Sequence, residues 1–235
     1  MSTSKNPAVP RLPTLAMLGA TGDLGGGLAR RWATAGYTIV IGSRSREKGA
    51  GSAADVNEQL RGLGLPETVR GTDNLTAAQQ GDIVVLTVPY AFQRATLEGV
   101  REALQGKILV DCTVPLVPPK VARVQLPEEG CAANIAQQAV GSGVRVVSAF
   151  QNVGAAHLRE EDAVDCDVLV TGDDPSARAE VIELIEALGM TGWHAGPLDN
   201  AAAAEALTSV LIQLNRKYGI AGAGIRITGE RTRTP

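Results

Sequence analysis

Aromatic residues are scarce in this chain: Trp, Tyr and Phe together make up 3% of its 235 residues. A protein that stacks single-stranded nucleic acid on its rings, or that encloses a flavin of its own, draws on more. Any flat ligand is therefore expected to lie against aliphatic side chains and backbone. There are only three cysteines, Cys112, Cys131 and Cys166. Their odd number and wide spacing exclude a disulfide framework and suit a reducing cytoplasm. With His157 and His194 the only histidines, zinc-ligand spacing is missing too. No run of 18 or more apolar residues occurs and no signal pattern opens the chain, so a membrane span is not expected. Charge of one sign is also lacking. Lys and Arg number 22 against 25 Asp and Glu, for a formal net charge of −3, which excludes a basic nucleic-acid or anionic-membrane face. The rest is ordinary for a soluble globular protein, with 44% hydrophobic and 20% charged residues.

Glycine is plentiful, and its placement is informative. The stretch Gly19-Ala20-Thr21-Gly22-Asp23-Leu24-Gly25 follows the apolar run Leu15-Ala16-Met17-Leu18 and opens a helix near Leu24. Read as G-x-G-x-x-G it has Ala20 in the first position; read as G-x-x-G-x-x-G it is intact. Strand, glycine turn and helix N-terminus make a pyrophosphate site, because glycine lets the backbone approach the phosphates and unpaired N–H groups favour the anion. The next strand, Tyr37 to Ile41, ends in Gly42-Ser43-Arg44-Ser45-Arg46-Glu47-Lys48. An NAD site usually places Asp or Glu there for the ribose 2′-hydroxyl, whereas Ser, Arg and Lys suit a 2′-phosphate. The two stretches together indicate NADP(H).

The pattern along the chain is α/β. Asp82 to Pro89 and Lys107 to Asp111 are near-continuous apolar runs, as expected for strands buried on both faces. Helices are expected at Arg46–Leu63, Ala91–Leu104 and Ala132–Val140. Short elements are expected at Glu67–Gly71 and Thr76–Gln80, and a strand at Val144–Phe150. This alternation predicts a Rossmann-type doubly wound parallel sheet over residues 1–147. Residues 148–235 form a small α+β C-terminal part, with a strand at Asp167–Gly172 and a helix opening at Pro175. A last helix, from about Asp199 to Tyr218, is expected to bury Leu207, Val210, Leu211 and Leu214. Pro115, Pro118, Pro119 and Pro127 mark an extended loop. The ends, Met1 to Arg11 and Glu230 to Pro235, read as frayed.

In order and spacing, Leu18 to Gly25, Gly42-Ser43-Arg44 with Lys48, Leu86-Thr87-Val88-Pro89-Tyr90, Val117-Pro118-Pro119, Gly172-Asp173-Asp174, Ala195 to Leu198 and Glu205-Ala206-Leu207-Thr208 resemble one family. It is that of the NADPH-dependent reductases of the deazaflavin coenzyme F(420), the F(420)H2:NADP oxidoreductases. The resemblance runs from about Thr14 to Gly229. It implies hydride transfer between NADP(H) and coenzyme F(420), a homodimer, and a set of contacts. Thr21, Gly22, Asp23 and Leu24 would hold the pyrophosphate, and Ser43, Arg44 and Lys48 the 2′-phosphate. Val88, Pro89 and Tyr90 would support the nicotinamide, with Ala155 beside its amide. The deazaflavin would lie against Gln151, Asn152, Val153, Gly154, Leu207 and Thr208. Many relatives carry a histidine and often a proline where this chain has Gln151 to Gly154. Glutamine or asparagine can still donate to a ring carbonyl, and Gly154→Pro, toward the family, would be tolerated. Similar nucleotide domains occur in membrane metalloreductases of the six-transmembrane type, but no membrane segment follows here.

Transfer of hydride between two rings needs no catalytic triad, and none is legible. His157 could assist proton movement, or be simply surface or satisfied by backbone, and His194 beside Trp193 reads as packing on a strand. Cys112 could line the nicotinamide pocket or be a buried thiol; Tyr90 could cover the nicotinamide or cap its strand. Asp173-Asp174, followed by Pro175, reads as a helix N-cap rather than a metal site. Arg226, Arg231 and Arg233 could meet a polyanionic tail, with a solvated C-terminus as the default. Two other functions remain open. One is reduction of another small substrate, as in imine reductases, although only about 85 residues follow Ser148. The other is a non-catalytic NADP(H) sensor.

Overall fold

The structure, a computed structural model, describes residues 11–159 and 163–229. The expectations for Met1 to Pro10, for Glu230 to Pro235 and for Arg231 and Arg233 lie outside the described residues.

The apolar runs become strands. In chain order the first part is β1 (Leu15–Leu18), α1 (Asp23–Thr34), β2 (Ile39–Ser43), α2 (Arg46–Gly62), β3 (Val69–Asp73) and α3 (Asn74–Gln80). Then come β4 (Ile83–Leu86), α4 (Tyr90–Leu104), β5 (Ile108–Asp111), α5 (Ala132–Val140) and β6 (Arg145–Ser148). All six strands are parallel, in the order β3-β2-β1-β4-β5-β6. The order reverses between β1 and β4, so a crevice opens above their carboxyl ends. Side chains of β1 alternate across the sheet. Leu15 and Met17 join a core with Leu28, Trp32 and Leu60 on the α1 side; Ala16 and Leu18 join one with Leu86, Leu97 and Leu104 on the α4 side.

The second part is a small βαβ unit, with β7 (Asp167–Val170) parallel to β8 (Thr191–His194) and α6 (Pro175–Glu186) between them. Ser148 and Thr171 exchange antiparallel hydrogen bonds of 2.8 and 3.1 Å, which hang this unit on the end of β6. The Trp32 indole N–H donates to Leu184 O at 2.9 Å, fastening α6 beside α1. The Asp173-Asp174 pair is structural: Asp174 caps α6 by accepting from Ala177 N at 2.9 Å, and Asp173 accepts from Leu198 N at 3.0 Å. His194 ends β8, exposed, beside Trp193, whose indole N–H reaches Asp167 at 2.9 Å.

A 3₁₀ turn, Leu198–Asn200, leads into α7 (Ala201–Tyr218). The expected stripe on this helix is corrected by the structure. Leu211 is buried and Leu207 half-buried, but Val210 and Leu214 are 44% and 36% exposed. The reason is close docking. The helix buries Ala201, Ala204 and Glu205, and Glu205 joins it to α5; small side chains and a single carboxylate thus take the face that periodicity would give to leucine. β6 also stops short of Phe150. That residue is buried with φ at +72°, in the left-handed region that a bulky side chain seldom adopts, and its ring meets Trp32 edge-on at 5.7 Å.

Candidate active site

The crevice begins at the turn after β1. Gly19 has φ of +83°, and a Cβ there would lie 2.5 Å from Val88 Cγ1. A Cβ on Gly25 would lie 2.3 Å from Thr87 Oγ1 and 2.7 Å from Ala20 Cα. Gly19 therefore makes the tight turn and Gly25 the close helix–strand approach, which is why Ala20 is tolerated between them. Thr87 Oγ1 donates to Leu18 O at 3.1 Å and holds the ends of β1 and β4 together.

Thr21, Gly22 and Asp23 are exposed at the head of α1, and Leu24 is half-buried. Where α2, α3 and α6 are capped by Ser45, Asp73 and Asp174, α1 starts at Gly22 with no side-chain cap. Its first N–H groups, without a side-chain cap, could take an anion. A cleft of ≈ 370 Å³ continues from this turn between α1 and α2, lined by Thr21, Gly22, Asp23, Asp55 and Gln59 among others. The Asp23 carboxylate is paired with Arg159.

Three cations follow β2, and the structure separates them. Arg46 is paired with Asp73 at 3.3 Å. Arg44 and Lys48 are exposed and, among the described residues, have no carboxylate partner. Ser43 is buried at the end of β2, beside them. The Ser45 cap, which accepts from Lys48 N at 3.3 Å, begins α2 so that Lys48 falls in its first turn.

Across β1, Val88 and Pro89 lead from β4 into α4, whose first residue is Tyr90, half-buried. Burial, then the nearby Glu129 and Glu205, push the Tyr90 phenol above its ordinary range. Cys112 is buried after β5, and burial raises its thiol well above the usual value. Its burial is that of a small core side chain.

The segment after β6 crosses the same end of the sheet. Gln151, Asn152 and Val153 are buried, and Gly154 and Ala155 half-buried. Gln151 Nε2 donates to Asp111 O at 2.9 Å and Ser148 Oγ at 2.8 Å. Asn152 Nδ2 donates to Ala204 O at 2.8 Å and Thr208 Oγ1 at 3.2 Å. Both N–H groups of each amide are thus engaged within the protein. Thr208 Oγ1 in turn donates to Gln151 O at 2.9 Å, which joins Leu207 and Thr208 of α7 to this segment. Gly154 lies against the chain that returns after α7. A Cβ there would stand 2.9 Å from both Gly222 Cα and Gly222 O, so the expected tolerance of Gly154→Pro gives way to a clash with backbone. Gly154→Ala is expected to lower stability by about 1–3 kcal/mol, the usual cost of overpacking. Thermal unfolding of the variant checks this; an unchanged midpoint would mean the returning chain yields freely.

His157 is satisfied by backbone, the second of its two readings. Its Nε2 donates to Gly222 O at 2.7 Å and ties down the returning chain. Arg226, from the possible tail contact, is paired with Asp165. One group of the Glu205-Ala206-Leu207-Thr208 stretch has a role that the sequence did not show. Glu205 of α7 is 1% exposed and accepts from Ala132 N at 2.7 Å and Ala133 N at 3.1 Å, capping α5 from another helix. Gln93 extends the connection, donating to Ala132 O at 2.9 Å and to buried Asp111 at 2.7 Å. Burial pushes Glu205 up to about 8 against the pull of its two N–H donors. Nothing in the spacing of residues 93, 111, 132 and 205 announces this set, since it exists only across elements.

Residues 14–115 match the family model described as NADP oxidoreductase, coenzyme F420-dependent. The chain is 41% identical over 219 residues to the F420-dependent NADP reductase of Methanocaldococcus jannaschii, covering 91% of this chain and 97% of that one. It is 40% identical over 220 residues to the enzyme of that name from Methanothermobacter marburgensis, again over 91% and 97%. Among solved structures, one from Arthrobacter sp. FB24, itself provisionally assigned as an F420-dependent NADP reductase, superposes with a TM-score of 0.76 at 27% identity. The match covers 93% of this chain and all of that one.

Proposed function

This chain belongs to the family of F420-dependent NADP reductases, and from that premise we propose the work of its residues. It is an oxidoreductase that transfers hydride between NADP(H) and the deazaflavin coenzyme F(420). The observation that carries the nucleotide half of this reading is the pair of exposed cations, Arg44 and Lys48, which have no carboxylate partner among the described residues and stand beside a helix N-terminus with no side-chain cap. The α1 N–H groups at Asp23 and Leu24, with Thr21 and Gly22, take the pyrophosphate. Ser43, Arg44 and Lys48 take the 2′-phosphate. Val88, Pro89, Tyr90 and Ala155 line the nicotinamide.

The second ring is placed where the part ending at residue 147 meets residues 148–235. There Gln151 to Gly154 and Leu207-Thr208 form one hydrogen-bonded wall. Because the amide N–H groups of Gln151 and Asn152 are already engaged, this wall offers a ring its backbone and side-chain faces. Hydride transfer requires the two reacting carbons to stack about 3–3.5 Å apart with water excluded. A wall joined by these hydrogen bonds, its residues buried or half-buried, serves that need, and no side chain has to act as acid or base.

A homodimer is supported by the apolar face that α7 leaves uncovered. Val210 and Leu214 are exposed, and Ser209 Oγ donates to Arg123 O at 3.3 Å, which sets this face beside the exposed Val124 and Leu126. No helix among the described residues is long and apolar enough to cross a membrane; three unpaired cysteines support a cytoplasmic setting.

The test is to mix pure protein with NADPH and oxidised deazaflavin and follow the deazaflavin band, with NADH as the control. Rapid bleaching with NADPH alone is expected. Tight NADPH binding with no bleaching would overturn the acceptor and favour a sensor or another small substrate.

A further inference from the structure

The first turn of α4 presents a ring that no pattern in the sequence marks. The helix buries Gln93, Leu97, Val100 and Leu104, but Phe92 stands off that face and is 48% exposed. A large exposed aromatic is conspicuous in a chain with only two phenylalanines. Its partner lies across the crevice mouth: the Arg44 guanidinium carbon sits 5.4 Å from the centre of the Phe92 ring. Arg44 follows β2 and Phe92 follows β4, the two strands that flank β1 and its glycine turn. Among the described residues no carboxylate pairs with Arg44, so the ring is the contact available to orient its guanidinium. A guanidinium over an aromatic face is attracted by the ring quadrupole and loses freedom about the stem.

We infer that Phe92 is a specificity-determining residue, positioning the Arg44 guanidinium to meet the ribose 2′-phosphate of NADP(H). The inference rests on the reading that Arg44 and Lys48 grip that phosphate. Phe92 touches the phosphate only through Arg44, so its effect belongs to the phosphate-bearing nucleotide alone. A ring that instead stacked the adenine would serve NADPH and NADH equally.

The experiment measures dissociation constants of NADPH and NADH, at fixed ionic strength, for the wild type, Phe92→Ala, Phe92→Tyr, Arg44→Ala and the double variant. For Phe92→Ala a roughly two- to five-fold weaker NADPH complex is expected, the range of an exposed cation–π contact. NADH affinity and the thermal midpoint stay unchanged, Phe92→Tyr restores the wild-type value, and Phe92→Ala adds nothing on top of Arg44→Ala. Equal losses for both nucleotides, or a Phe92→Tyr variant as weak as Phe92→Ala, would overturn the inference. A preference for NADPH that Arg44→Ala abolishes and Phe92→Ala leaves intact would overturn it while sparing the phosphate reading. A wild type with no preference would overturn both.

Discussion

Removing Arg44 and Lys48 together is expected to weaken NADPH binding by about 2–4 kcal/mol, roughly 30- to 1,000-fold, while NADH changes less than about two-fold. Each cation contributes about 1–3 kcal/mol through charge-assisted contacts to phosphate oxygens. The sum is smaller than twice the single value because both grip one group. Arg46→Ala is the internal control. Arg46 stands between the other two in sequence, yet it is paired with Asp73, whose carboxyl is held well below its usual range, mainly by hydrogen bonds from Thr76. Its loss is expected to leave NADPH affinity within about two-fold. Titration of the wild type, the two single variants, the double variant and Arg46→Ala with both nucleotides decides the matter. Parallel losses for NADPH and NADH, or an Arg46 effect as large as that of Arg44, would displace the phosphate from this loop.

The second large effect is expected at Glu205. Glu205→Ala leaves the N–H groups of Ala132 and Ala133 without their acceptor in a sealed site. At about 1–3 kcal/mol for each buried donor, the total is roughly 3–5 kcal/mol. For a domain of this size that lowers the unfolding midpoint by roughly 6–20 °C. Glu205→Gln keeps one acceptor oxygen and falls between. Because α7 also carries Thr208, which holds Gln151 and Asn152 in place, the deazaflavin KM should rise more than the NADPH KM in variants that still fold.

The same residue predicts a dependence on pH. Burial raises Glu205 from 4.5 to about 8 in the folded protein. Between those values the folded state keeps a proton that the unfolded chain has released, so stability from this group falls as pH rises. The contribution is full below about pH 4.5, declines toward pH 8 and is lost above it. Its size is on the order of a few kcal/mol. Buried Asp111, also raised by burial, adds a slope of the same sign. Denaturant unfolding from pH 5 to 8.5 should show a decline in the wild type that is shallower in Glu205→Gln. Identical slopes would mean that the carboxylate is ionised throughout, held so by the α5 N-terminus.

Much of this molecule was legible along the chain. Leu15 to Leu18, Ile83 to Leu86 and Ile108 to Val110 are apolar without interruption because both faces of a parallel sheet are covered, so their burial is written locally. The glycine turn and the basic loop after β2 are local too: each is a backbone or charge requirement met within a few residues. Family resemblance then supplied the chemistry. By contrast, α7 reads as a leucine-stripe helix, yet it docks through Ala201, Ala204 and a buried Glu205, leaving Val210 and Leu214 uncovered. Periodicity reports which residues share a face, but not which face finds a partner.

The sequence by itself determined the sheet, the order of its elements, the nucleotide it suits and the kin to which it belongs. Tertiary structure alone decided which cation a carboxylate holds: among the described residues Arg46 meets Asp73, whereas Arg44 and Lys48 meet none. It alone decided that the amides of Gln151 and Asn152 face inward, that His157 anchors the returning chain, and that Phe92 meets Arg44. The physical reason is the same in each case. A glycine's conformational freedom or a strand's apolarity belongs to the residue, whereas a charge, a hydrogen-bond donor or a ring takes its role from a partner that folding brings from elsewhere in the chain.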